Sequence, residues 1–256
     1  MSTLPDLPLF EDDFAETGLV DPRRTVPRGV TLPETAVLCW FHEVVDALDA
    51  PVVTRLRSEA GPVAVKVVTH RGEPVAVVQP GVGAPMAAIV LEELVALGVR
   101  RAVGCGGAGA LLPELVLGHA IVVDAAVRDE GTSAHYLPPA RLVGADPAVV
   151  AALVATAEAV GVTHVVGPCW TTDAVFRETP SRRDRRVAEG CVAVEMEAAA
   201  LFAVAAHRGV RYGHLLMAGD SLVGETWAHR GWTRAGEARG ALFGLALDAA
   251  LALPPG

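Results

Sequence analysis

The chain has 256 residues, enough for one large α/β domain or two small ones with a substantial core. Hydrophobic residues make up 52% and charged residues 20%, a balance that excludes extended disorder away from the ends. The formal charge of −9, with no Lys/Arg face to offset it, excludes nucleic acid as the expected partner.

Compartment is read from the same sequence. Met1 to Asp6 carries neither a basic region nor an apolar stretch of the kind that directs secretion, and no run of 18 apolar residues follows. Cys39, Cys105, Cys169 and Cys191 are dispersed, with no CxxC pair, which predicts buried thiols. The expectation is a cytoplasmic protein with no membrane partner.

Residues 1–35 are Pro-rich and acidic and read as an N-terminal arm, suited to lying on a neighbouring subunit. Residues 36–256 read as a single domain. An apolar patch at Ala36–Cys39 opens it, followed by a short helix from Phe41 to Leu48. Val63–Val68 and Pro74–Val78 are β-branched runs separated by His70-Arg71-Gly72-Glu73, which predicts a hairpin. After the turn Pro80-Gly81-Val82-Gly83-Ala84, a helix begins at Pro85 and stops at Gly98. Arg101-Ala102-Val103 leads into a glycine run, Gly104 to Gly109, and a strand is predicted at Ala120–Val127. Asp146 caps a helix through Val160. A strand at Thr163–Val166 and a basic helix at Ser181–Glu189 precede a strand at Cys191–Val194. The last units are a helix at Glu197–Arg208, a strand at Tyr212–Ala218 and a helix at Thr233–Ala252. Strands alternating with helices predict an α/β fold with a mixed, largely parallel sheet.

Three features bear on chemistry. Gly104 to Gly109 matches GxGxxG, but Pro113 would interrupt the helix that a dinucleotide site needs. The run then reads either as a tight turn or as a loop whose bare backbone, at Gly107, Ala108 and Gly109, lets a ligand approach. His42-Glu43 begins like a zinc motif, but Asp46 stands where the second histidine belongs, so no metal is expected. Glu195-Met196-Glu197 places two carboxylates where a strand hands over to a helix. Acids are ordinary at a helix N-terminus, an explanation that suits Glu197 more readily than Glu195. The alternative puts acceptors at the carboxyl end of a strand, where open α/β sheets bind ligands. Asp220 follows the next buried strand, on the same rim, where it either caps a loop or acts as a general acid.

Pro80-Gly81-Val82-Gly83-Ala84-Pro85, Gly106 to Leu111, Glu195-Met196-Glu197-Ala198-Ala199 and Asp220-Ser221 together resemble the nucleoside phosphorylase superfamily, over roughly Val63 to Ala250. Asp129 to Tyr136 and Thr171-Thr172-Asp173-Ala174 are similar to its uridine phosphorylase branch. The resemblance implies a three-layer α/β/α fold around a central mixed sheet. It implies a homo-oligomer (dimer, trimer or hexamer), a small-molecule nucleoside as substrate, phosphate as co-substrate and no cofactor. Glu197 would bind the ribose hydroxyls, Met196 would pack under the sugar, and Glu195 would border the base. Val175 and Phe176 would form part of the base wall, and Asp220 would protonate the departing base.

Two positions depart from the family pattern. Gly104 stands where the phosphorylases carry a phosphate-gripping arginine, and Gly107 replaces a serine or threonine; the N-terminal phosphate loop is not recognisable either. Phosphorolysis with other ligands is one reading. A phosphate-independent nucleosidase, with Glu34, Glu43 or Glu59 as base, is a second, and a nucleoside-binding protein without turnover is a third. Purine and pyrimidine bases both remain open.

Overall fold

A computed structural model describes residues 8–11, 13–59 and 61–254. The predicted features of residues 1–7 lie outside the described residues. In chain order the elements are α1 (Pro22–Thr25), β1 (Thr35–Cys39), α2 (His42–Asp46), β2 (Val52–Leu56), β3 (Val63–His70), β4 (Glu73–Val78) and α3 (Ala84–Ala96). They continue with β5 (Arg101–Ala110), β6 (Ala120–Asp129), β7 (Leu142–Gly144), α4 (Pro147–Ala159), β8 (His164–Thr172) and α5 (Pro180–Ala188). Last come β9 (Ala193–Glu195), α6 (Ala198–Arg208), β10 (Arg211–Ser221) and α7 (Gly236–Ala252).

The strands form one sheet in the order β10-β6-β8-β9-β5-β1-β4-β3-β2, with β7 on β6. β10 also pairs with β5, so β5, β10, β6, β8 and β9 close into a ring from which β1, β4, β3 and β2 extend. Parallel pairing joins β1 to β4 and β5, β5 to β10, and β8 to β6 and β9. The other five pairings are antiparallel, so the sheet is evenly mixed and not mainly parallel. Within the ring, β9 runs against β5 and β6 against β10.

Two apolar clusters give the three layers. Ala87, Leu91 and Leu94 of α3 and Ala199, Leu201 and Phe202 of α6 pack on one face. Val149 and Leu153 of α4 and Leu242, Phe243 and Leu245 of α7 pack on the other. The N-terminal segment meets its own chain from α1 onward: Thr25 Oγ1 donates to Glu93 Oε1 at 3.1 Å, and Leu32 is buried in the first cluster. Asp146 caps α4 by accepting from the Ala148 N–H at 2.8 Å.

The glycine run is neither a turn nor a loop. β5 continues straight through it to Ala110, held by β1 on one side and β10 on the other, with Gly104 opposite both Leu38 and His214. Bare backbone there makes room for rings from other elements. A Cβ at Gly104 would stand 2.6 Å from His214 Nδ1 and closer still to Tyr212 Oη. One at Gly106 would touch Trp40, and one at Gly107 would lie 3.1 Å from Trp232.

Candidate active site

The handover from β9 to α6 is held by Glu195. Its Oε1 accepts from Thr171 Oγ1 at 2.5 Å and from Cys169 Sγ at 3.4 Å. Its Oε2 accepts from the backbone N–H groups of Glu197 and Ala198, both at 2.7 Å. Thr171 Oγ1 accepts in turn from the Ala199 N–H at 3.0 Å. An α-helix opens with unpaired N–H groups, and here a buried strand carboxylate and a threonine satisfy three of them. Burial pushes the Glu195 carboxyl up, while these hydrogen bonds pull it back down. With each oxygen accepting twice, Glu195 is spent on the helix start. Its expected place at the edge of the base is corrected accordingly. Glu195, and not Glu197, is the residue that helix capping explains.

Glu197 points elsewhere. Its Oε1 accepts from the Gly83 N–H at 2.5 Å, across from the turn that begins α3. Gly83 holds that donor in place with a φ of 97°, a conformation that favours glycine. The Met196 N–H adds a second, weaker backbone contact to the same carboxyl. Burial first, and then the neighbouring charge of Glu195, push the Glu197 carboxyl up to about 8. Met196, half-buried, lies between the two acids.

Asp220 sits within β10, which runs two residues further than its apolar pattern suggests. It is half-buried, and its Oδ2 accepts from Trp227 Nε1 at 2.5 Å. The same oxygen lies 3.6 Å from where a Cβ at Gly109 would be. Gly109 is paired with Val194 of β9 and lies between that strand and β10. Glu195 and Asp220 therefore stand at strand ends on either side of one glycine. Ala108 is buried opposite Ala218 and contributes backbone only.

Val175 and Phe176 do not meet these residues as a wall. They occupy a single 3₁₀ turn after β8, where Phe176 is 97% exposed. A short turn followed directly by Pro180 at the start of α5 leaves this ring in solvent. Glu178, at the end of the same turn, is half-buried. Burial and then the charge of Asp220 push its carboxyl up to about 7.

The segment from 222 to 235 brings residues that the sequence reading did not select. Trp227 reaches Asp220, and Trp232 lies over Gly107 and Gly219. Arg239 is buried with its guanidinium 4.9 Å from the Trp232 ring and 5.0 Å from the Phe41 ring, and it donates to Glu43 Oε1. Among the described residues Arg239 Nε is buried without a hydrogen-bond partner, and Glu43 Oε2 lies 3.4 Å from His42 Nδ1. On the opposite side of β5, Tyr212 Oη and His214 Nδ1 are 2.7 Å apart, and His214 is pushed down to about 3 by burial, which keeps it neutral. A cleft of about 730 Å³ lies away from all of this, between Phe14–Arg23 and the Glu92 and Arg208 side of the domain.

A closed ring of strands with acids at two strand ends beside a glycine strand defines an α/β protein with polar groups on the rim of its sheet, the side on which open α/β sheets bind ligands. Comparison with known proteins makes this specific. A profile of the phosphorylase superfamily matches residues 39–252. The chain is 33% identical over 155 residues to a guanosine phosphorylase of Halorubrum lacusprofundi, covering 60% of this chain and 64% of that one. It is 32% identical over 173 residues to the uridine phosphorylase of Escherichia coli, covering 58% of this chain and 68% of that one. The solved uridine phosphorylase from Vibrio fischeri superposes with a TM-score of 0.71 over 88% of this chain and 94% of that chain, at 22% identity. The chain belongs to the nucleoside phosphorylase superfamily. Its matched segment spans a little under two thirds of the guanosine phosphorylase. Among the described residues no helix is long and apolar enough to cross a membrane.

Proposed function

We infer that the chain cleaves the N-glycosidic bond of a nucleoside, with phosphate as acceptor, giving base and sugar 1-phosphate. One observation carries this reading: Glu195 and Asp220 stand at strand ends on either side of Gly109, with Met196 and Glu197 directly following Glu195, in a chain similar to guanosine and uridine phosphorylases. Glu197 is the acceptor for the ribose hydroxyls. Met196 supplies an apolar floor beside it. Asp220 stands on the side of the departing base. Cleavage builds positive charge on the sugar and negative charge on the base, so protonating the base lowers the barrier, a contribution of roughly 10²–10⁴-fold in rate. Phosphate enters as co-substrate, and no cofactor is called for. We place the enzyme in the cytoplasm as a homo-oligomer. The exposed Leu19, Ile89 and Phe176 favour such contacts.

A second reading, hydrolysis, is favoured by what covers the glycines. Tyr212 and His214 take the space at Gly104 that an arginine would need, and Trp232 covers Gly107. Of the three acids considered as a base, Glu34 and Glu59 are exposed, whereas Glu43 is half-buried beside Arg239, which packs on Trp232. Hydrogen bonding to Arg239 keeps Glu43 low, in the ionised form that could take a proton from water.

Incubating purine and pyrimidine nucleosides with and without phosphate separates the readings. We expect base release that depends on phosphate and yields sugar 1-phosphate. Equal release without phosphate, yielding free sugar, would replace phosphorolysis by hydrolysis. Binding without turnover over the whole panel would overturn both.

A further inference from the structure

The base lacks the wall expected for it, because Phe176 is 97% and Val175 46% exposed on their 3₁₀ turn. Another aromatic side chain stands at Asp220 instead. Trp227 Nε1 donates to Asp220 Oδ2 at 2.5 Å. Asp220 is half-buried, and that oxygen lies 3.6 Å from where a Cβ at Gly109 would be. The indole edge therefore reaches the rim where Gly109 pairs with Val194, the residue before Glu195-Met196-Glu197.

The backbone holds Trp227 in that place. Ser221 and Ala228 exchange two backbone hydrogen bonds, each 2.9 Å, and so close a hairpin over residues 222–227. Arg183 Nη1 of α5 donates to the carbonyl oxygens of Leu222 at 2.8 Å and Gly224 at 2.6 Å within it. Just beyond it, Arg230 Nη1 donates to the Leu115 carbonyl at 2.6 Å. The His229 ring packs against the indole at 87°, with centroids 5.3 Å apart, and its Nδ1 accepts from the Gly231 N–H at 3.1 Å. Anchored on these sides, Trp227 is still 61% exposed. Single exposed aromatic residues are ordinary on a surface. This one spends its N–H on a half-buried acid and leaves most of its ring to solvent, the division of labour by which tryptophan serves binding surfaces.

We propose that Trp227 recognises the base: its indole is the stacking surface for a planar heteroaromatic ring, and its N–H sets the Asp220 carboxyl against that ring. The inference rests on the nucleoside-cleavage reading above. Every base has a π face, and stacking on an aromatic side chain tightens its binding about fivefold to a hundredfold. A hydrogen bond to one carboxyl oxygen restricts rotation of the group about its Cβ–Cγ bond, which otherwise turns broadly, so the direction of the second oxygen is set as well. Trp227 is thus a binding residue toward the base and a positioning residue toward Asp220. Substitution separates the two roles, because phenylalanine keeps a ring and loses the N–H, whereas leucine loses both.

The test compares Trp227→Phe and Trp227→Leu with the unsubstituted protein. Because the side chain is largely exposed, both variants should unfold within about 2 °C of it. On the best-cleaved nucleoside, Trp227→Phe should lower kcat about tenfold and leave KM within about twofold. Trp227→Leu should lower kcat as much and also raise KM about fivefold or more. Adenine, hypoxanthine and uracil, titrated singly, report binding of the base alone: at least one should quench the tryptophan fluorescence of the unsubstituted protein, and Trp227→Leu should lose more than half of that quench. Unchanged kinetics in both variants would overturn the proposal, as would a lower KM in Trp227→Leu, which would mean that the ring obstructs the base. A large loss of stability in both would make Trp227 a brace of the hairpin instead. Failure of the unsubstituted protein to cleave any purine or pyrimidine nucleoside would overturn the cleavage reading. The titration then decides on Trp227 by itself, and no quench, or an equal quench in Trp227→Leu, would remove it from base recognition.

Discussion

Replacing Gly104 by alanine should be costly out of proportion to its size. The added methyl would sit 2.6 Å from His214 Nδ1, 3.0 Å from His214 Cε1 and nearer still to Tyr212 Oη. Both rings are almost fully buried, at 1% and 2% exposed, and they are hydrogen-bonded to each other at 2.7 Å. Forcing extra volume into a packed core costs about 1–3 kcal/mol. Separating a buried hydrogen-bonded pair adds roughly 1 kcal/mol. The sum, about 2–4 kcal/mol, corresponds to a fall in Tm on the order of 5–15 °C for a chain of this length. Thermal unfolding followed by circular dichroism measures it. Gly240→Ala is the control: Gly240 is exposed in the middle of α7 with nothing near its missing Cβ, so alanine there should raise Tm slightly. If Gly104→Ala unfolds within a degree or two of the unsubstituted protein, the glycine does not exist to admit those rings, and the account of β5 is wrong.

Two further predictions concern the acids. Asp220→Asn should slow base release from nucleosides by roughly a hundredfold or more with little change in KM, read by steady-state kinetics; an unchanged rate would remove Asp220 from the reaction. Glu197→Gln tests a linkage. The Glu197 carboxyl titrates at about 8 when folded against an ordinary 4.5, so the stability its protonated form gives is complete below about 4.5 and is lost as pH rises through about 8. That difference sets a ceiling of roughly 5 kcal/mol, at about 1.4 kcal/mol per unit. Denaturant unfolding at pH 5 and pH 9 should show the substituted protein losing less stability over that interval, by up to about 4 kcal/mol. Equal losses in the two proteins would mean Glu197 is not held in a place that resists its charge.

What could be read from the sequence follows how local the signals are. The β3–β4 hairpin announced itself through two β-branched runs, and α4 through Asp146-Pro147, because periodicity and caps act within a few residues. β2 escaped because Val52–Leu56 interleaves Thr54 and Arg55 with valines, and its pairing to β3 is what makes it a strand. The glycine strand escaped for a deeper reason. Glycine carries no side-chain signal, and the rings that fill its space arrive from Tyr212, His214 and Trp232, more than a hundred residues away in the chain. Glu197 and Asp220 were legible as acids at strand ends. That Glu195 would be consumed by Thr171 and the start of α6 depends on β8 running to Thr172, six residues past its predicted end at Val166. Glu178, Trp227 and Trp232 lie in turns without periodicity, where nothing local distinguishes a functional side chain from a solvated one.

The glycine at 104 and the carboxylate at 195 belong to one connected arrangement. His214 Nε2 lies 4.0 Å from Glu195 Oε2, its other nitrogen meets Tyr212 Oη, and its ring stands 5.6 Å from that of Trp40, which also covers Gly106. Because His214 stays neutral, it lines the Glu195 carboxylate without discharging it, and that carboxylate remains available to the N–H groups of α6. An arginine at 104 would have to displace both rings and would bring a cation against the very acid that starts the helix. The phosphate grip implied by the family resemblance is therefore incompatible with this packing, and any phosphate must be held by other groups. Near Gly107 the guanidinium that qualifies is Arg239, separated from it by the Trp232 ring and carrying a buried nitrogen without a partner. Trp232 thus stands between the backbone of β5 and both candidate acceptor groups, Arg239 for phosphate and Glu43 for water.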